Sequence, residues 1–149
     1  MLIESRPAVD PEIGALVVAQ QRELRQVDAR RGGPGPLAHD EVDYLAVVVA
    51  GRAVACGGLL GLDADTGELK RMYVRPAFRG RGIGRHLLGA LEELAFQRGH
   101  SVLRLRTGAY LPAAIGLYTS CGYQPIPAYG EHDGDPSGVC LAKRLPVAA

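Results

Sequence analysis

Residues 78–85 read Phe-Arg-Gly-Arg-Gly-Ile-Gly-Arg, with three glycines, three arginines and no acid. The segment joins a strand-like run, residues 68–74, to a run of helical period carrying Ile83, Leu87, Leu91, Leu94 and Ala95. Glycine at such a junction lets backbone approach a ligand closely and adopt conformations closed to other residues. The first turn of a helix offers unpaired N–H groups and a partial positive charge. Arg75, Arg79, Arg81 and Arg85 add fixed charge with a geometry suited to phosphate oxygens. Two readings fit these residues: an anion-binding helix start, best suited to phosphate, or a solvated basic turn. The segment matches neither the G-x-x-x-x-G-K-[ST] loop nor G-x-G-x-x-G.

The surrounding chain alternates strand and helix signals. Residues 1–6 suit a short strand, and Asp10-Pro11-Glu12 is a helix start. Ile13, Leu16, Val17, Leu24 and Val27 follow at helical spacing, with Arg30-Arg31 and Gly32-Gly33 as the stop. Residues 32–43 are punctuated by glycine and proline and read as a long loop. Two apolar runs flank Gly51-Arg52, which reads as a hairpin turn, and Asp63–Gly67 is a second turn. The strand at 68–74 does not alternate cleanly, which predicts a bulge or cover on both faces. A helix is expected from about Gly82 to Arg98, then a strand at 101–107 with Leu103 and Leu105 on one face. Strand, helix and strand of these lengths imply a parallel crossover. A short helix from Pro112 to Gly122, a strand at 123–126, a polar loop and a last strand at 139–145 complete an α/β chain with a mixed sheet.

A chain of 149 residues suits one domain, expected here to be residues 1–149. No apolar run reaches the ~18–20 residues that span a bilayer, and no leader-like segment opens the chain, so a cytoplasmic protein without membrane contact is expected. Net charge is +1, with the arginines concentrated locally and balanced globally. That disfavours nucleic acid and favours a small, highly charged ligand. Cys56, Cys121 and Cys140 suggest no disulfide framework, and His39, His86, His100 and His132 have no metal-ligand spacing; no metal is expected.

Residues 68–99 resemble the acetyl-CoA-binding segment of the GNAT superfamily of N-acetyltransferases. The family pattern of Arg or Gln, two residues, Gly, one residue, Gly or Ala is matched by Arg79, Gly82 and Gly84. The preceding V-x-P is Val74-Arg75-Pro76, and A-x-x-L-Y-x-x-x-G-Y is matched by Ala114, Leu117, Tyr118, Gly122 and Tyr123. The resemblance implies a mixed, mostly antiparallel sheet of about six to seven strands with a parallel pair that splays apart, flanked by three to four helices. It implies that the pantetheine arm of acetyl-CoA pairs with backbone along Met72, Tyr73 and Val74. The pyrophosphate would rest on the N–H groups around Gly80, Arg81, Gly82, Ile83 and Gly84, with Arg79 and Arg85 holding further charge. Many relatives carry asparagine where this chain has Leu111, so one polar contact to the cofactor is missing or supplied elsewhere. Many also form homodimers.

Direct acetyl transfer to an amine needs a base, because alkyl amines have pKa values near ~10. Glu68, at the start of the strand leading to the glycine segment, is the candidate; a surface carboxylate is the other reading. Many family members place a glutamate on this strand. The departing thiolate needs a proton, and Tyr118 occupies the position of the family's acid tyrosine; a core tyrosine is the other reading. A strand N–H near Val74 would stabilise the oxyanion. A ping-pong route through Cys121 lacks any activating neighbour in sequence.

The expected activity is acetyl-CoA-dependent N-acetylation of a primary amine on a small molecule or amino acid. A non-catalytic acyl-CoA-binding or sensing module, and an acetyltransferase acting on a peptide or protein amine, are the alternatives. Residues 32–43 and the polar loop are expected to frame the acceptor; Glu131, Asp133 and Asp135 would attract a cationic amine or form a solvated loop, and Arg30-Arg31 would instead meet a carboxylate on an amino-acid substrate or simply end the helix.

Overall fold

A computed structural model describes residues 1–27, 41–109, 111–130 and 137–146. The strands are β1 (Leu2–Arg6), β2 (Asp43–Val49), β3 (Arg52–Gly61), β4 (Thr66–Val74), β5 (Val102–Gly108), β6 (Gln124–Ile126) and β7 (Gly138–Arg144). The helices are α1 (Pro11–Val27), α2 (Ile83–Gln97) and α3 (Pro112–Ser120), with a 3-10 turn at Pro76–Phe78. The strands pair in the order β1-β2-β3-β4-β5-β7-β6. The β1–β2, β2–β3, β5–β7 and β6–β7 pairs are antiparallel, and β4–β5 is parallel. The expected mixed sheet, with its parallel pair, is therefore present.

By contacts the chain divides into two units: Met1–Leu60 with Lys70–Leu91, and Gly61–Leu69 with Glu92–Ala149. In the first, α1 begins where its cap dictates. Asp10 Oδ2 accepts from the N–H groups of Glu12 and Ile13, each at 3.1 Å, a contact worth about 1 kcal/mol of helix stability. Ile13, Leu16 and Val17 then bury fully against Val42, Tyr44, Ala46, Ala53, Cys56 and Tyr73. Each such aliphatic burial contributes roughly 1.5–3 kcal/mol, so packing of this face outweighs the cap. Val27 leaves the expected stripe and is exposed, while Gln21 is buried. The expected stop at Arg30–Gly33 lies outside the described residues.

Three turn boundaries differ from expectation. The β2–β3 hairpin turns on Ala50-Gly51, both at positive φ (49° and 79°), and Arg52 already belongs to β3. Two residues at positive φ form the tight turn that matches strand twist, and alanine accepts one of those positions under strain. The second turn is shorter than expected and β4 starts earlier, at Thr66. Asp63 Oδ1 accepts from the N–H groups of Asp65 and Thr66, both at 2.8 Å, closing the loop before Gly67. β4 itself behaves as its irregular pattern predicts. Thr66, Gly67, Glu68 and Leu69 are all buried, so both faces are covered, and Arg71 sits at φ 54°.

In the second unit, the parallel register joins Thr66, Gly67 and Glu68 to Val102, Leu103 and Arg104. Leu103 and Leu105 bury while Arg104 and Arg106 stay half-buried, the alternation the sequence carries. The Glu92 carboxylate of α2 accepts from Tyr123 Oη at 2.8 Å and from Lys143 Nζ at 3.0 Å. Gly122, at φ 98°, ends the α3 segment as expected.

Candidate functional site

Gly82 caps α2: its carbonyl accepts the first helical bond, from His86 N–H at 3.0 Å. The N–H groups of Ile83, Gly84 and Arg85 therefore lie outside the helical ladder. No acid occupies the first turn of α2. Gly80 and Gly82 take φ 77° and 78°, and nothing lies within 4 Å of where a Cβ would stand on either. The two residues thus combine a left-handed backbone with open space, which is what a cradle for an anion requires. Arg81 and Arg85 are exposed at this turn, and Arg81 stacks on Phe78 with its guanidinium carbon 5.2 Å from the ring centre. A pyrophosphate group fits these donors and charges.

Arg79 is more engaged than its motif suggests. Its Nη2 donates to both oxygens of Glu23 on α1, at 2.9 and 2.7 Å, and its Nε donates to the Val74 carbonyl at 2.8 Å. The guanidinium also lies over Tyr73, 5.5 Å from the ring centre. Burial, ahead of the nearby Glu23 charge, raises the Tyr73 phenol. Gln20 Nε2 donates to the Met72 carbonyl at 3.0 Å, and Arg75 N–H to the Val54 carbonyl at 2.9 Å. The carbonyls of Met72 and Val74 thus each accept from one side-chain donor. Glu23 and Gln20 carry no signal in the sequence, because both act across more than fifty positions (52 and 56) of chain.

Glu68 and Tyr118 belong to the second unit. Glu68 is a buried carboxylate, 4% exposed, which removes the surface-carboxylate reading. It accepts a hydrogen bond from Tyr129 Oη. Burial, then the bond to Glu68, pushes the Tyr129 phenol well above its ordinary range, so it remains a donor. The Arg104 guanidinium covers the Tyr129 ring at 5.2 Å. Tyr129 was not legible as a site residue, since it follows a proline-rich stretch and meets Glu68 only through the fold.

Tyr118 is 7% exposed and packs edge-on against Tyr123, with ring centres 5.8 Å apart. Burial alone raises its phenol strongly, so the hydroxyl keeps its proton throughout the neutral range. Among the described residues its hydroxyl has no hydrogen-bond partner, Glu68 included. It is a packed tyrosine whose hydroxyl stays protonated. Cys121 is half-buried, whereas burial pushes the Cys56 thiol up to about 12. Leu111 precedes α3 and supplies no side-chain cap. Glu131, Asp133, Asp135 and Arg30-Arg31 lie outside the described residues. Among the described residues, no cluster of three or more His, Cys, Asp or Glu could hold a metal, and no helix is long and apolar enough to cross a membrane.

An α/β sheet with one parallel pair, feeding a glycine turn into a long helix, defines a class of acyl-CoA-dependent transferases, and direct comparison agrees. The acetyltransferase (GNAT) family profile matches residues 14–123. An IAA acetyltransferase of Azospirillum brasilense is 32% identical over 138 residues, covering 92% of this chain and 86% of that protein. The crystal structure of a Klebsiella pneumoniae chain assigned as an acyl-CoA N-acyltransferase superposes with a TM-score of 0.85 at 36% identity, over 97% of each chain. A GNAT family acetyltransferase of Elizabethkingia anophelis, crystallised with acetyl-CoA bound, shares the fold with a TM-score of 0.71 at 19% identity, over 97% of each chain. The chain belongs to the GNAT family of acetyltransferases, whose acyl donor is acetyl-CoA.

Proposed function

We propose that this protein, acting as a single catalytic domain, moves an acetyl group from acetyl-CoA directly to a primary amine of a small molecule or amino acid. The observation that carries this reading is the buried Glu68 carboxylate, held by the Tyr129 hydroxyl and carried on β4, the strand that leads to the glycine cradle. Gly80, Arg81, Gly82, Ile83 and Gly84 would take the pyrophosphate on backbone N–H groups, with Arg79 and Arg85 adding charge. Met72, Tyr73 and Val74 would present strand backbone to the pantetheine arm. Acetyl-CoA supplies the acyl group as a thioester, whose C–S bond breaks as the acceptor's C–N bond forms.

The chain's own residues handle the protons. A Glu68 carboxylate oxygen takes the proton of the incoming amine, directly or through one water. The Tyr118 hydroxyl gives its proton to the leaving sulfur and regains one from solvent. Burial raises the Tyr118 phenol, so the hydroxyl keeps its proton until the leaving sulfur takes it. The half-buried Cys121 is not needed in a direct transfer.

The test has two parts. Calorimetric titration with coenzyme A should show one saturable site, and amines assayed for free thiol release should identify turnover. Glu68→Gln should lower kcat by about 10²-fold or more while coenzyme A affinity holds. Saturable coenzyme A binding with no turnover of any amine, amino acid or peptide would leave a sensing module in place of the enzyme.

A further inference from the structure

Resting on the transferase reading above, we infer that the acceptor carries an anionic group, a carboxylate in the first instance, which Arg104 receives beside Glu68. The second unit holds a groove of about 800 Å³. Its floor includes Arg104 and Arg144, and its wall runs through Pro125, Ile126, Pro127 and Tyr129. Register explains the grouping. Arg104 stands opposite Ala142 and Val102 opposite Arg144, so both arginines project from one sheet face. Glu68 stands beside Arg104 in the parallel register and belongs to that same face.

Arg104 is equipped to bind an anion. Its guanidinium is half-buried and stacked on Tyr129, which fixes its plane at little entropic cost. It makes no ion pair with an acid among the described residues; Asp63 feels its field only weakly and spends its own oxygen on the turn before β4. Of the other cations at this groove, Lys143 is already bound to Glu92 and Arg144 is exposed. A half-buried arginine with free donors prefers a carboxylate, which its planar fork can grip with two bonds. Tyr129 connects the two functions: one face of its ring carries Arg104 and its hydroxyl holds Glu68. In this reading the acceptor's carboxylate meets Arg104 while its amine reaches Glu68. The apolar wall of Pro125, Ile126 and Pro127 suits the connecting portion.

The experiment compares amino carboxylates with their amides: glycine, 4-aminobutyrate and 6-aminohexanoate against glycinamide, 4-aminobutanamide and 6-aminohexanamide. Wild-type kcat/KM should favour a longer carboxylate over its amide by about tenfold or more, the size of a lost charged hydrogen bond. Arg104→Met should abolish that preference by raising the acceptor KM, with the KM for acetyl-CoA unchanged, and Arg104→Lys should keep part of it. Equal rates for carboxylate and amide, or a preference that survives Arg104→Met, overturns the inference and leaves the transferase reading standing. If no amine is turned over, the transferase reading fails, and the groove is judged by binding alone. Then 3-phenylpropionate should perturb the Tyr129 ring resonances and 3-phenylpropionamide should not, in wild type only; identical responses in Arg104→Met overturn the inference.

Discussion

Arg79, the first residue of the cofactor-binding pattern, is bound to Glu23 of α1, with Nη2 to Oε2 at 2.7 Å. The guanidinium cannot give the same N–H groups to Glu23 and to a phosphate. Both side chains are more than a third exposed, at 45% and 36%, so the pair itself contributes no more than ~1 kcal/mol. Glu23→Gln should therefore leave the melting temperature nearly unchanged and tighten coenzyme A binding several-fold by freeing Arg79. Calorimetric titration of both proteins checks this; weaker binding in the variant would show that Glu23 positions Arg79 rather than competes for it.

The cradle depends on backbone shape at Gly82. Its φ of 78° strains any other residue, and the space a Cβ would fill is open in the protein alone. Gly82→Ala should thus cost about 1 kcal/mol of stability through strain. It should cost more in cofactor affinity, because the added methyl enters the anion's space. Chemical denaturation and coenzyme A titration separate the two; an affinity that falls no further than the stability would discount the cradle.

Tyr118→Phe removes a hydroxyl that has no hydrogen-bond partner among the described residues. The ring contact with Tyr123 survives, so stability should not fall. The rate with a genuine acceptor should drop by about 10²-fold, the usual contribution of a positioned acid. An unchanged kcat would reduce Tyr118 to a packing residue.

Glu12 ties α1 to β3 and to Arg6. Its Oε2 accepts the Ala53 N–H at 2.7 Å and its Oε1 accepts from Arg6 at 3.0 Å. Those bonds, the Ala53 one first, hold the carboxyl below its ordinary value of 4.5. A depressed folded-state value contributes stability above the unfolded value and loses it as pH falls through the folded one. Glu12→Gln should accordingly melt below wild type at neutral pH, and the gap should close on acidification below about pH 4. A gap independent of pH would assign the effect to shape rather than charge.

The three cysteines should react in two classes. Cys56 and Cys140 are buried out of reach of a reagent, and burial holds the Cys56 thiol up at about 12. Native protein should titrate one thiol with a disulfide reagent, that of Cys121, and unfolded protein three. Rapid reaction at more than one site in the native state would contradict the packing of β3 and β7.

Local chemistry was enough to read the cap at Asp10, the alternation of Leu103 and Leu105, the irregular β4 and the glycine turn before α2. Each depends on neighbours within a few residues, where backbone preference and hydropathy act directly. The hairpin at Ala50-Gly51 was misplaced by one residue because register is set by pairing across β2 and β3, not by the turn alone. Glu68, Tyr118 and the cradle residues could be named from spacing and resemblance, since their types and order survive in the chain. What spacing could not supply is their company. Tyr129 on Glu68, Glu23 on Arg79 and Gln20 on Met72 bring together residues separated by 61, 56 and 52 positions. Sequence decided which groups could bind phosphate or move a proton. Only folding decided which carboxylate is sheltered from water, by burying Glu68 at 4% exposure, and which arginine lies over the tyrosine that holds it.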